Sequence, residues 1–124
     1  MPVQILSLLY LAICAGVVCF QVALILGARW GHLTQGGRYR GALPLAGRIA
    51  ASLSILILVG MAFGITSAAG LWPHWPGWTG WVALALQAVS TVMNWITPSR
   101  PERRLWGPVT TVMAGLAGLT VLGG

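Results

Sequence analysis

Apolar residues fall into four long stretches, at 3–28, 49–71, 78–96 and 105–122, and the polar residues collect mostly between them. A helix needs about 20 mostly apolar residues to cross a hydrocarbon core, and it satisfies its own backbone hydrogen bonds where water is absent. The pattern predicts an all-α, polytopic integral membrane protein, with four transmembrane helices in a compact bundle that forms one membrane domain over residues 1–124. The first stretch is uncharged, lacks a basic leader segment and is longer than the apolar core of a cleaved signal, so it reads as a retained span. The last stretch runs to Gly123-Gly124, which predicts no soluble tail.

The three interruptions differ in charge. Arg29, Arg38, Arg40 and Arg48 fall in or at the edge of segment 29–48, and Arg100, Arg103 and Arg104 fall in segment 97–104. Segment 72–77 has no Lys, Arg, Asp or Glu. Cytoplasmic loops carry the excess of basic residues, so 29–48 and 97–104 are expected inside, 72–77 outside, and both termini outside (N-out/C-out). Trp72, Trp75 and Trp78 would then mark the outer interface, with Trp30 and Trp106 at the inner one. The expected location is the inner (plasma) membrane of a bacterial-type cell, as a multi-pass protein.

Composition agrees with this class. Hydrophobic residues make up 57% of the chain and charged residues 6%, whereas a soluble domain carries roughly a quarter charged residues. The net charge of +6 would suit nucleic acid in a soluble chain. Here the arginines are interleaved with apolar runs and act as inner-face anchors, so no nucleic-acid partner is expected. Arg38, Arg40, Arg48, Arg100, Arg103 and Arg104 are read as contacts to the headgroups of anionic membrane lipids, at about 1 kcal/mol each, or to another anion.

Candidate chemistry is sparse. Cys14 and Cys19 point to different faces of the first helix and behave as small hydrophobes. His32 and His74 lie in different loops, so no metal site is expected. No ionisable side chain falls inside a span, although proton- or cation-coupled carriers use one. Ser, Thr and Cys have no intramembrane base beside them. No catalytic residue and no cofactor are expected, and the chain reads as leaning away from an enzyme.

Three patterns remain. Gly60, Gly64 and Ala68 place a small residue at every fourth position of the second span, a helix-packing seam that lets another backbone approach closely. Gln21, Gln87, Thr91 and Asn94 form a candidate polar layer, either as interhelical hydrogen bonds or as the wall of an inward-facing vestibule. Ser99 and Glu102 have the spacing of a helix cap in Ser99-Arg100-Pro101-Glu102. A short interfacial turn through Arg103, Arg104 and Trp106 should follow, with Gly107-Pro108 adjusting entry to the fourth span. The whole stretch 94–108, NWITPSRPERRLWGP, reads as a signature without a family attached to it. These features predict first a non-enzymatic accessory or assembly subunit that packs against other membrane proteins or itself. The alternative is an oligomeric channel or facilitator for a small neutral or anionic solute.

Overall fold

A computed structural model describes residues 2–124. It is all-helical, with α1 Val3–Ile25, α2 Leu45–Ala68, α3 Trp78–Ile96 and α4 Arg100–Gly123. Two short 3₁₀ turns, Gly31–Leu33 and Gln35–Gly37, lie in the connection between α1 and α2. Each helix packs on its sequence neighbour and α4 closes back on α1, so the four form a ring. α1, α2 and α4 are long and apolar enough to cross a membrane. α3 is not among them, because Gln87, Ser90, Thr91 and Asn94 dilute the apolar content of its 19 residues. Leu26, Leu45, Leu56, Ile96 and Leu122 are all more than two-thirds exposed, a surface suited to lipid. The chain is membrane-associated.

Helix ends depart from the apolar stretches for local reasons. α1 stops at Ile25 rather than continuing to Ala28. Gly27 takes a left-handed φ of 106°, the Gly27 amide donates to Leu24 O and the Ala28 amide to Ala23 O, which is the Schellman arrangement. α2 ends the same way, at Ala68 rather than Leu71, with Gly70 at φ 81° and the Leu71 amide donating to Thr66 O. At its start α2 gains a turn, beginning at Leu45 directly after Pro44, since proline is well placed where the first helical amides need no partner. α3 ends at Ile96, and Thr97 is extended before Pro98, as the residue preceding a proline prefers.

The largest difference is at α4. No separate interfacial turn precedes it. One helix runs from Arg100 through Pro108 to Gly123, so Arg100, Arg103 and Arg104 stand on its opening turns rather than in a loop. Gly107 and Pro108 lie inside this helix rather than before it. A methyl group on Gly107 would lie 3.1 Å from the Trp95 ring, and the indole instead lies against α4 with its Nε1 donating to Thr111 Oγ1 at 2.8 Å.

The main core joins all four helices through Tyr10, Cys14, Met61, Ala62, Ile65, Ala83, Met113 and Ala117. A smaller cluster of Leu24, Leu43 and Ala51 ties the start of α2 to the end of α1. Small residues set the closest approach. A Cβ on Gly64 would sit 2.8 Å from the Thr79 carbonyl oxygen and 3.2 Å from Ala83 Cβ. One on Gly80 would sit 2.9 Å from Ala68 Cβ. Gly64 and Ala68 thus meet α3 of the same chain, while Gly60 faces open space.

The three small residues should therefore behave differently. Gly64→Ala overpacks the contact and should cost about 1–3 kcal/mol, seen as a lower Tm in mild detergent. Gly60→Ala should be neutral or raise Tm, because alanine favours a helix over glycine by about 0.5–1 kcal/mol. Equal effects at the two sites would remove Gly64 as the point of closest approach.

Candidate binding cleft

α2 and α3 touch near the tryptophan-rich connection and part toward the arginine-rich end. The space between them is a cleft of about 720 Å³. Its rim is apolar and exposed: Ile57 on α2, and Leu86, Val89, Met93 and Ile96 on α3. Its inner wall is mixed, with Gln21, Ser54, Gln87, Asn94, Glu102 and Thr110 beside the buried Met61 and Met113. A second groove of about 300 Å³ continues toward the other end, lined by Gly60, Trp75, Trp78 and Val82. The two share Ile57, Met61 and Leu86. Beside the groove, Trp72 and Trp75 pack edge-on against Phe63, with ring centroids 5.3 and 5.8 Å away.

The polar layer separates into two roles. Gln87 is 1% exposed and joins three helices. Its Oε1 accepts from Tyr10 OH at 2.8 Å, and its Nε2 donates to the Thr110 carbonyl at 3.1 Å. Thr91 does not line the cleft. Its hydroxyl lies 3.0 Å from the Thr110 carbonyl and 2.9 Å from its own helix at Gln87 O. Gln21 and Asn94 are left for the cleft. Gln21 Oε1 is buried with no hydrogen-bond partner. Asn94 spends its Nδ2 on Ser90 O at 2.7 Å; among the described residues nothing donates to its Oδ1.

Glu102 is the only acidic residue in the chain, is 7% exposed and belongs to the cleft wall. Only half of a capping box forms at this turn. Ser99 Oγ accepts from the Glu102 amide at 3.3 Å, but the Ser99 amide turns to Thr97 Oγ1. The Glu102 carboxylate reaches across to the α1–α2 connection, where its Oε2 accepts from the Gly36 amide at 2.9 Å. Placement at the start of α4 also suits a negative charge, because unpaired amides gather there.

Two further contacts complete this strap. Ser99 Oγ donates to His32 O at 2.7 Å, and Trp106 Nε1 donates to Leu33 O at 2.8 Å. Ser99, Glu102 and Trp106 recur at helical spacing, so one face of α4 holds three points of the connection. Gly37 permits this fit, since a Cβ there would lie 2.8 Å from Ser99 Cβ. The density of unusual residues in 94–108 signalled a special segment. The spacing of Ser99, Glu102 and Trp106 could have signalled one face, but not what that face would meet.

The arginines stay out of the cleft wall. Arg48 Nε donates to Leu43 O, Arg103 Nη1 donates to Thr97 O, and Arg38, Arg40, Arg100 and Arg104 are exposed. Cys14 is buried and Cys19 exposed, both as free thiols. Among the described residues no group of three His, Cys, Asp or Glu side chains is placed to hold a metal. No family model, curated protein or solved structure matches the chain.

Two outcomes follow from these contacts. Gln87→Leu strands the buried Tyr10 hydroxyl and should cost about 1–3 kcal/mol, whereas adding Tyr10→Phe should recover part of that loss; simple additivity in unfolding would show that the bond is not coupled. Glu102→Ala should release Gly36 and speed proteolysis within 29–44, whereas Glu102→Gln keeps an acceptor and should leave cleavage near the parent rate. Equal cleavage of both variants would discount the strap.

Proposed function

We propose that the chain is a non-enzymatic, four-span protein of an inner (plasma) membrane that holds a single-chain amphipathic molecule in the cleft between α2 and α3. The observation that carries this reading is the cleft itself, with its apolar exposed rim, its polar groups on the inner wall near Glu102 and its apolar continuation toward Trp75 and Trp78. A molecule with a polar head and an extended tail matches that distribution. α3 lies between α2 and α4 in the ring, which supports its crossing with them despite its polar residues. Clustering of the arginines at one end of the bundle supports that end facing the cytoplasm, with both termini outside. There the exposed guanidinium groups would meet anionic headgroups.

A dead-ended site is favoured over a conduit within one chain. Between the polar wall and the tryptophan end, the axis is filled by Tyr10, Ile65, Ala83 and Ala117, each at most 2% exposed. The accessory-subunit reading keeps one specific support. Gly60 has open space where a side chain would stand, and small residues admit the close approach of a partner's helix.

Native mass spectrometry of the protein extracted from its own membrane, as parent and as Gly60→Leu, tests both readings. A bound lipid-like adduct that declines in the variant, whose new side chain fills the groove, is the expected result. A stoichiometric protein partner lost in the variant would put the accessory reading first. A parent that carries neither would overturn the proposal.

A further inference from the structure

The polar groups of the cleft wall divide into those committed within the protein and those left for a ligand. Gln87 is fully committed to Tyr10, Thr91 and Thr110. The Ser54 hydroxyl proton goes to Ala50 O, and that of Thr110 to Trp106 O or Gly107 O. Beside these committed groups the cleft holds acceptors that no protein group satisfies, together with the Gln21 Nε2 and the Ser90 hydroxyl, which donate to nothing among the described residues. Asn94 turns its Nδ2 toward Ser90 O and Ser90 Oγ and retains Oδ1. Gln21 Oε1 is buried without a partner. Glu102 adds a carboxylate with one hydrogen bond, from Gly36 to Oε2, and no arginine bonded to it among the described residues. Burying a carboxylate without a counter-charge is costly, and an unpartnered buried acceptor costs more than one left in water.

On the reading of the cleft as an amphiphile site, we infer that its ligand is a primary alkylammonium-type amphiphile, with the N–H donors of the head meeting Glu102, Gln21 and Asn94 and the tail running along the groove toward Trp75 and Trp78. A primary ammonium brings three donors and one positive charge, which matches one carboxylate and two amide oxygens. The arginines do not oppose it at contact range. None lines the cleft, and exposed charges farther off are screened over about 8–10 Å at ordinary ionic strength. An anionic head would instead be placed against the Glu102 carboxylate, with no counter-charge lining the cleft.

The test compares n-decylammonium, n-decanol and n-decanoate as probes of purified protein in phosphatidylcholine nanodiscs, with affinity read by native mass spectrometry and Tm shift. Decylammonium should bind the parent roughly tenfold or more tighter than decanol, the scale of a charge-assisted hydrogen bond. Glu102→Gln should erase that preference, since glutamine still accepts from Gly36 while losing the charge. Gln21→Leu, which breaks no hydrogen bond within the protein, should narrow the preference several-fold and serves as the second variant if Glu102→Gln folds poorly. Equal binding of all three probes, preference for decanoate, or a preference unchanged in both variants would overturn the ammonium assignment and leave the amphiphile cleft standing. Failure of every probe to bind the parent would overturn both.

Discussion

Two helices can approach only as closely as the groups between them allow, and the shape of this bundle depends on that distance at one point. Gly64 brings α2 onto the Thr79 carbonyl of α3, and Gly80 receives Ala68 in return. In lipid, apolar side chains gain little by leaving one apolar environment for another, so association depends on packing and on polar contacts. The α2–α3 contact supplies the packing at the tryptophan end. Beyond it the lining side chains are larger and the helices separate. The cleft follows from a seam that is tight along only part of its length.

Polar groups hold the remainder. Gln87 ties α3 to α1 through Tyr10 and to α4 through the Thr110 carbonyl, which fixes the wall opposite the opening. At the arginine end, α4 extends its first turns beneath the bundle and grips the connection at His32, Leu33 and Gly36. Glu102 takes part in both the strap and the cleft wall. One of its oxygens secures the connection, while the residue remains part of the surface a ligand would meet. The strap and the cleft wall therefore meet at one carboxylate, which is why glutamine and alanine at this position are informative in different ways.

The segment 94–108 shows how a motif can be conspicuous and still unreadable. Its prolines and charges marked a boundary, and the Ser99 cap was evident from spacing. The break expected before Leu105 is replaced by continuous helix, because proline is tolerated in the first turn and Ser99 caps the amide of Glu102. Trp106, expected as an interfacial anchor, makes a directed bond to Leu33 O. Nothing local distinguishes an indole that anchors at headgroup depth from one that closes a loop, since the partner lies 73 residues away in sequence.

Local physics was legible in the chain alone. Apolar length and sparse charge determined an all-helical, membrane-associated class, but apolar length overran the helix ends, which the left-handed Gly27 and Gly70 set at Ile25 and Ala68. Helical spacing also grouped Gln87, Thr91 and Asn94, and separately Gly60, Gly64 and Ala68. Only the tertiary structure decided how those groups divide. Gln87 and Thr91 bind within the bundle, while Asn94 and Gln21 remain at the cleft; Gly64 and Ala68 meet α3, while Gly60 faces open space. The physical reason is that periodicity fixes which side chains share a helix face, whereas the neighbour that face meets depends on contacts between residues distant in sequence.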